Sequence, residues 1–318
     1  MDSTDKTIYN MQPSSILITC GDPAGCGPKI ITAALANFKP GKQRVILCAD
    51  RPVMEAVKGY KKISSRIELI DCRTPGINKL KSGAPSALSG RASLNYLDTG
   101  LKVMDRLGIK SLVTGPVSKE AVAMSLPDFC GHTEYLAQKF RVKECVMLMV
   151  AGKMKIALLT RHVPLRDVPA MLKPQLLIKT STIIKNGLRD VFGLSSPKIA
   201  VAAFNPHAGK DTFLDREDRR IAEAIKLCPR GVFGPFPPDT LFTTHNIAKF
   251  DCLIALYHDQ GMIPFKLLGF DQGVNLTLGL PIRRTSPAHG PAYDIVRLGK
   301  EPLWRPTWEA IRLCAKEY

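Results

Sequence analysis

Three histidines, His162, His207 and His258, each follow closely on a short apolar run that is predicted to be a β-strand. In open α/β sheets, ligands collect outside the carboxyl ends of the strands. Three neutral imidazoles can hold Zn²⁺ or a similar divalent ion and leave one coordination position for a substrate hydroxyl. A single histidine in such a place is more often an ordinary loop or core residue, but three in equivalent places favour a catalytic metal site.

A second set of residues suits an anion. His132 and Thr133 open a predicted helix, where backbone N–H groups favour a carboxylate or phosphate, although Thr133 could equally be an ordinary N-cap. Lys266, Asn275 and Arg284 follow one another within a short stretch. Lysine and arginine over a cleft neutralise a phosphate or carboxylate, and arginine can do so with two parallel hydrogen bonds. These residues favour a small anionic substrate.

Two loops rich in glycine or proline add further candidates. Residues 21–28, GDPAGCGP, form a turn that opens a helix, and it could either face an anion or be a tight structural turn. It matches neither the P-loop nor the dinucleotide-binding fingerprint. Residues 234–240, GPFPPDT, place a single carboxylate, Asp239, in a stiff loop.

The elements that must position these residues follow an alternating pattern. Short β-branched apolar runs alternate with amphipathic stretches, which indicates βαβ units and a mostly parallel sheet. Strands are predicted at 15–20, 44–49, 66–71, 111–114, 145–150, 155–160, 198–204 and 252–257, and helices at 28–38, 52–60, 91–107 and 175–192. Segments 81–90 and 231–240 are predicted to be loops, the first of them mobile. A chain of 318 residues exceeds the usual size of one domain, so two lobes are expected.

Composition limits the class of protein. The first ten residues lack the apolar core of a signal peptide, and no apolar run is long enough to span a bilayer. The nine cysteines form no Cys-x-x-Cys pair, which favours a reducing cytoplasm and argues against a cysteine-based zinc site. The net charge of +17 comes from scattered Lys and Arg, and only 7% of the residues are aromatic, so we expect neither nucleic acid nor a membrane as partner.

Seven motifs in one order resemble the 4-hydroxythreonine-4-phosphate dehydrogenase family of pyridoxal phosphate biosynthesis. They are GDPAGCGP, TGPVSKEA (114–121), GHTEYLA, HVPLRDVP (162–169), NPHAG, GPFPPDTLF and the long run YHDQGMIPFKLLGFDQGVNLTLGLPIRRTSP (257–287). The resemblance implies an isocitrate/isopropylmalate dehydrogenase-like α/β fold with two lobes and mostly parallel sheets flanking a central cleft. It also implies a homodimer with shared active sites, a nicotinamide cofactor (NAD, with NADP as the alternative) and a divalent metal, with zinc favoured over magnesium or cobalt.

The same resemblance implies roles for individual residues. The metal ligands would be His162, His207 and His258; the substrate contacts would be His132, Thr133, Lys266, Asn275 and Arg284; and proton transfer would fall to His132 or Asp239. The implied reaction oxidises 4-phosphohydroxy-L-threonine to 2-amino-3-oxo-4-phosphobutanoate, which decarboxylates to 3-amino-2-oxopropyl phosphate. Residues 1–130 with 285–318 would form the lobe on the cofactor side, and residues 131–284 the lobe with the metal, substrate and dimer contacts.

The sequence departs from the family pattern in two places. Lys29 stands where an acidic residue is usual, which would attract rather than repel a phosphate. Segment 288–299, AHGPAYDIVRLG, replaces the usual residues of a loop that commonly cradles the adenosine in this fold class. Within it, His289, Gly290 and Asp294 are the candidates for cofactor binding.

Three other functions compete with this interpretation. A sister dehydrogenase of D-erythronate or D-threonate 4-phosphate would share the metal and phosphate residues. A basic nucleic-acid-binding protein on a retired dehydrogenase scaffold would account for the net charge. A three-histidine zinc hydrolase ranks lowest, because no His-Glu-x-x-His motif is present.

Overall fold

The structure, a computed structural model, describes residues 15–209 and 216–315. Its strands are β1 (Ser15–Thr19), β2 (Arg44–Ala49), β3 (Glu68–Asp71), β4 (Ser111–Thr114), β5 (Val146–Ala151), β6 (Met154–Leu158), β7 (Ile199–Ala202), β8 (Val232–Phe236), β9 (Cys252–Ala255), β10 (Val274–Leu278) and β11 (Arg283–Pro287). Every strand that the sequence predicts is present, with ends shifted by a few residues. Three strands, β8, β10 and β11, were not predicted.

The α-helices are α1 (Gly27–Asn37), α2 (Arg51–Glu55), α3 (Tyr60–Ile63), α4 (Ala87–Leu107), α5 (Lys119–Ala123), α6 (His132–Lys139), α7 (Val168–Met171), α8 (Pro174–Phe192), α9 (Arg216–Lys226), α10 (Pro238–Leu241), α11 (Thr244–Ile247), α12 (His258–Gly269), α13 (Tyr293–Arg297) and α14 (Arg305–Ala315). Short 3-10 turns lie at Ser64–Arg66, Ile77–Lys79, Leu165–Asp167, Pro206–Gly209 and Phe270–Gln272.

Both segments predicted as loops contain regular structure, which corrects the sequence analysis. Helix α4 begins inside segment 81–90 because Ser86 and Ser89 form a reciprocal capping box, each side chain bonding the other's backbone N–H. Strand β8 and helix α10 occupy most of segment 231–240. Proline and glycine at these positions mark element boundaries rather than an extended loop.

One sheet joins the strands in the order β3-β2-β1-β4-β11-β10-β5-β6-β9-β7-β8. The α/β class and the mostly parallel sheet are therefore confirmed. The predicted lobe boundary near residue 285 falls inside β11, and the sheet continues across it. The division into two lobes stays a prediction.

The centre of the sheet contains its antiparallel pairs. Strand β10 is antiparallel to β11 and to β5, and β5 is antiparallel to β6, whereas the remaining neighbours are parallel. Consequently β6, β9, β7 and β8 run opposite to β1, β2, β3, β4 and β11. The carboxyl ends of these two groups lie at opposite edges of the sheet.

Helix α12 covers one face of the strand group that contains β6, β9 and β7. Its Met262 and Phe265 pack with Met149, Ile156 and neighbouring apolar residues in a buried cluster. This packing fixes the helix whose first residue is His258 and whose last turn carries Lys266. No helix among the residues that the structure describes is long and apolar enough to cross a membrane.

Candidate active site

A pocket of about 330 Å³ lies over the central strands of the sheet. Its floor is made by cross-strand neighbours, because Asn275 on β10 pairs with Met149 on β5 and with Ser286 on β11. Two residues along β10, Thr277 pairs with Met147 and Arg284. The antiparallel centre of the sheet therefore brings side chains from β5, β10 and β11 onto one face.

Arg284 is the buried cation of this floor, with 2% of its surface exposed. Its Nη2 and Nε donate to Thr114 Oγ1 at 2.7 and 3.2 Å, and its Nη1 donates to Thr277 Oγ1 at 3.1 Å. Burial lowers the pKa of the guanidinium to about 10, so it stays charged at neutral pH. Both hydroxyl partners are neutral, which leaves the positive charge for an anion in the pocket.

The amino end of α6 forms one wall. His132 and Thr133 are both buried there and line the pocket. Burial, and secondarily the charge of Arg284, lowers the pKa of His132 well below its ordinary value of 6.5. The imidazole is therefore neutral at physiological pH and can accept a proton or a hydrogen bond.

His162 and His258 lie together and line the same pocket, with ring centroids 5.9 Å apart. They follow β6 and β9, which are parallel neighbours in the sheet. Burial lowers the pKa of His162, and the positive charge of Lys119 lowers it further. The Nδ1 of His258 lies 2.7 Å from Asp259 Oδ1, so the neighbouring carboxylate orients this ring.

His207 follows β7, the next parallel strand, but its exposed side chain does not line the pocket. It has φ +56° and is followed by Ala208 at φ +59°, a left-handed conformation that is unfavourable for both residue types. The Asp218 carboxylate anchors the start of this loop by accepting the backbone N–H groups of Phe204 at 2.7 Å and Asn205 at 3.0 Å.

Side-chain bonds tie the three histidine-bearing loops to one another. The Thr160 hydroxyl donates to the Leu256 carbonyl at 2.7 Å, which connects the ends of β6 and β9. The buried Gln260 accepts from the Leu256 N–H at 2.7 Å and donates to the Ala203 carbonyl at 2.8 Å, which connects the ends of β9 and β7. The loops therefore have a fixed spacing at one edge of the sheet.

The two clustered imidazoles suit a divalent ion, since both belong to a residue type that ligates zinc and both open into the pocket. Within residues 15–209 and 216–315, however, no group of three or more histidine, cysteine or acidic side chains is assembled to hold a metal. His162 and His258 thus form a pair, and His207, the third predicted ligand, lies on the adjacent loop outside that pair.

The Gly-rich turn after β1 is a tight structural turn. A Cβ at Gly21 would lie 2.4 Å from the Pro116 carbonyl oxygen, and one at Gly25 would lie 2.7 Å from Pro291 Cβ. The Cys26 N–H donates to the Pro291 carbonyl at 2.7 Å. Segment 288–299 therefore covers the amino end of α1, and the alternative that this turn faces an anion is not supported.

Asp22 is the buried centre of this contact. Its Oδ1 accepts the Ala24 N–H at 2.8 Å, and its Oδ2 accepts the hydroxyls of Tyr293 at 2.5 Å and Ser89 at 3.3 Å. Burial raises the pKa of the Asp22 carboxyl, and these hydrogen bonds oppose that shift. One carboxyl thus joins the Gly-rich turn, α4 and segment 288–299.

Of the three candidate residues for cofactor binding, two line the pocket and one lies outside it. His289 and Gly290 line the pocket, whereas Asp294 is exposed outside it. The ring of His289 lies between the carbonyl oxygens of Gly290 and Leu303, at 3.0 and 3.1 Å. Nothing in this arrangement tests cofactor binding, and the three assignments stay predictions.

The other predicted residues are placed as follows. Lys266, on α12, is exposed and lines the pocket, as does Asn275, whose Oδ1 is buried and has no hydrogen-bond partner in the part of the chain described. Asp239 is exposed at the start of α10 and does not line the pocket.

Sequence analysis missed several lining residues. Met147, Met149 and Met262 give the pocket an apolar side, and Lys119 adds a cation. The methionines carry no recognisable signal in the sequence, because apolar runs predict burial and not a ligand. Lys119 lies in the motif TGPVSKEA, which could have drawn attention to it.

The family model described as "Pyridoxal phosphate biosynthetic protein PdxA" matches residues 28–314. The chain belongs to this family. A 4-hydroxythreonine-4-phosphate dehydrogenase of Desulforapulum autotrophicum is 37% identical, with 94% of this chain and 92% of the relative covered. A protein of Bradyrhizobium diazoefficiens, provisionally named a D-threonate 4-phosphate dehydrogenase, is 36% identical, with 91% of this chain and 92% of the relative covered.

A solved structure of the same family supports the fold. The 4-hydroxythreonine-4-phosphate dehydrogenase from Klebsiella pneumoniae superimposes with a TM-score of 0.80 at 30% identity, covering 97% of this chain and 100% of the other. The family assignment made from the motifs is therefore confirmed, and the relatives named here are dehydrogenases.

Proposed function

We propose that this protein is an NAD(P)-linked dehydrogenase that oxidises 4-phosphohydroxy-L-threonine to 2-amino-3-oxo-4-phosphobutanoate, which then loses CO₂ to give 3-amino-2-oxopropyl phosphate. One observation carries the proposal. All five predicted substrate contacts and two of the three predicted metal ligands, which are far apart in the chain, line a single pocket: His132, Thr133, His162, His258, Lys266, Asn275 and Arg284.

The charge of the pocket supports a phosphorylated acid as substrate. Arg284 is buried and keeps donors free for an anion, and Lys266 adds a second cation at the rim. A phosphate monoester carries a charge of about −1.5 to −2 at neutral pH. The backbone N–H groups at the amino end of α6 favour the same kind of group.

Oxidation of the substrate hydroxyl at C3 releases one proton and one hydride. The hydride passes to NAD(P)⁺, and a base in the pocket must accept the proton. His132 suits this role because its imidazole is buried, lines the pocket and is neutral at physiological pH. Asp239, the other predicted residue for proton transfer, lies outside the pocket of its own chain, and its role stays a prediction.

We include a divalent metal in the proposal, with zinc favoured over magnesium or cobalt. His162 and His258 would hold it, and His207 from the adjacent loop would complete the set. When bound, such an ion lowers the pKa of a ligated hydroxyl and stabilises an oxyanion as a Lewis acid. The support is the proximity of the first two rings and the placement of all three loops after adjacent parallel strands.

A homodimer is also part of the proposal. Ile263 and Leu267 lie four residues apart on α12, Phe270 follows directly after the helix, and the three are 59%, 80% and 51% exposed. An apolar stripe of this kind is typical of a protein–protein contact. Because α12 also carries His258 and Lys266, a twofold contact there would place the pocket next to the partner subunit.

The second candidate substrate class is D-threonate or D-erythronate 4-phosphate, and the name of the Bradyrhizobium relative supports the first of these. Parallel assays of NADH formation with the three phosphorylated acids, each with NAD⁺ and NADP⁺, decide between them. A kcat/KM at least tenfold higher for 4-phosphohydroxythreonine supports the proposal. Turnover of the sugar-acid phosphates alone, or of none of the three with any of the metals, contradicts it.

Two further assignments stay predictions. We expect no specific binding of DNA or RNA despite the net charge, and we expect a cytoplasmic location. Steeply salt-dependent nucleic-acid binding by a metal-free protein without dehydrogenase activity would favour the retired-scaffold alternative.

A further inference from the structure

Lys119 is a cation on the pocket wall that no predicted role uses. It begins α5 and its exposed side chain lines the pocket. A Cβ at Gly131 would lie 3.3 Å from Lys119 Cε and 3.8 Å from its Nζ. Because Gly131 is the N-cap of α6, the ammonium group lies beside the amino end of that helix.

Charges of both signs surround this ammonium group, since a Cβ at Gly131 would also lie 3.2 Å from Glu134 Oε2. A helix amino end carries a partial positive charge, which disfavours a cation in its first turn. Lys119 lines the same pocket as Lys266 and Arg284. The residues that the structure describes supply Lys119 with no ion pair and no side-chain hydrogen bond.

The acidic group near Lys119 is shared with another cation. Among the described residues that line the pocket, Glu134 is the one carboxylate, and its Oε1 lies 3.3 Å from Arg161 Nη1 in an ion pair. Lys119, Lys266 and Arg284 thus share one cavity with a single, already paired, negative charge. This excess of positive charge is stabilised when an anion binds.

We propose that Lys119 is a substrate-binding residue whose ammonium group binds an anionic group of the substrate at the amino end of α6. The inference rests on the proposed function, because that substrate carries both a phosphate and a carboxylate. Lys266 and Arg284 approach from α12 and the floor, and Lys119 approaches from the wall built by α5 and α6. Cations on separate sides of the pocket match two anionic groups at the two ends of one small molecule.

Gly131 is part of the same arrangement. Its φ of +138° suits glycine, and the absence of a Cβ leaves room for the end of the Lys119 side chain beside the first turn of α6. A Cβ at Gly131 would lie 3.2 Å from Glu134 Oε2 and 3.3 Å from Lys119 Cε, so both side chains would have to shift slightly.

The test is Lys119→Met, with Lys58→Met as the matched control at an exposed lysine outside the pocket. We expect K119M to raise the KM for 4-phosphohydroxythreonine roughly 10- to 100-fold, the range for losing a hydrogen bond to a charged group, with kcat changed less than about threefold. The KM for NAD⁺ and the unfolding temperature stay unchanged, and K119R recovers most of the affinity. K58M behaves as the wild type.

The unphosphorylated analogue 4-hydroxy-L-threonine identifies which group is bound. If the effect of K119M disappears with this analogue, Lys119 binds the phosphate; if it persists, Lys119 binds the carboxylate, and either result supports the inference. An unchanged KM, a loss confined to kcat, or an equal effect of K58M overturns it.

Titration calorimetry without cofactor separates this inference from the proposed function. If the wild type binds 4-phosphohydroxythreonine without oxidising it, and K119M weakens that binding, the inference holds while the reaction is wrong. If K119M binds as tightly as the wild type, or the wild type binds nothing, the inference is overturned.

Discussion

The two sides of the pocket are built differently. On the side of β1, β4 and β11, backbone segments touch so closely that only glycine fits; a Cβ at Gly115 would lie 2.3 Å from the Cys20 carbonyl oxygen. The buried Asp22 network adds side-chain hydrogen bonds to that contact. On the side of β6, β7 and β9, the loops carry exposed His162 and His207, and His207 is in a left-handed conformation.

This difference separates stability from chemistry. The first side is held by contacts internal to the fold. The second side stores backbone strain and leaves its imidazoles accessible, as is typical of positions retained for ligand binding. Substitutions on the first side should therefore change the free energy of unfolding, and those on the second side should change binding and turnover.

Substitution in the floor of the pocket, which joins the two sides, should have the largest effect on activity. Arg284→Met removes a buried cation aimed at the substrate, and we expect kcat/KM to fall roughly 10²- to 10³-fold, since truncating a buried, hydrogen-bonded charge costs about 3–4 kcal/mol. Steady-state kinetics measures this. Arg283→Met, the neighbouring residue on the other face of β11, is the control, and an equal loss there would show that the pocket is misassigned.

The close backbone contact of the first side predicts the next effect. Gly115→Ala should lower the free energy of unfolding by about 2–3 kcal/mol, because the added methyl group overlaps the Cys20 carbonyl. Gly290→Ala, whose Cβ would meet nothing within 4 Å, is the control and should change stability by less than about 0.5 kcal/mol. Equal denaturation midpoints for the two variants would contradict the claim that close backbone contacts on the first side determine stability.

The strained loop of the second side predicts a change of opposite sign in the free energy of unfolding. His207→Gly should raise the free energy of unfolding by about 1 kcal/mol, because glycine tolerates the positive φ of this position. The same variant should lose bound metal and turnover if His207 is a ligand. Chemical denaturation with metal analysis measures both, and a destabilised variant that keeps its metal would contradict both parts.

The smallest effect concerns pH. The pKa of buried His132 lies below its unfolded value of 6.5, so protons bind preferentially to the unfolded chain. Its contribution to stability is present above that value and is lost as the pH falls below it. His132→Gln should make the decline of unfolding free energy below this pH shallower, and the exposed His245→Gln should not. His162 contributes with the same sign, so part of the decline remains.

Much of the fold could be predicted because hydrophobic periodicity reports burial directly. The alternating pattern gave the βαβ units of β1, β2 and β4 and the long helices α4 and α8. Strands β10 and β11 escaped prediction because they lie in a segment dense with polar and proline residues, VNLTLGLPIRRTSP. Without them, the reversal of strand direction at the centre of the sheet could not be inferred.

That reversal also limits what could be predicted of the site. The argument from carboxyl strand ends correctly grouped the loops of His162, His207 and His258, because β6, β9 and β7 are parallel neighbours. It could not explain how Arg284 and Asn275 reach the same pocket. These two residues lie within β11 and β10 rather than after them, and their side chains enter the pocket from the face of the sheet. Their residue types and close spacing in the sequence, and then the motif resemblance, singled them out where periodicity could not.

Segment 288–299 shows the opposite case. Its departure from the family pattern indicated an altered cofactor loop, but the sequence did not reveal that Tyr293 would bond to Asp22 and that Pro291 would cover the start of α1. Contacts between residues so distant in the chain depend on the packing of the whole fold.

A crystal structure of the protein with bound 4-phosphohydroxythreonine tests the central claim most directly. The account predicts ordered substrate in the 330 Å³ pocket, with an anionic oxygen within hydrogen-bonding distance of Arg284 and its reacting hydroxyl facing His162 and His258. Ordered substrate in the larger groove of about 580 Å³ beside Lys110 and Asn186, with the pocket empty, would contradict it.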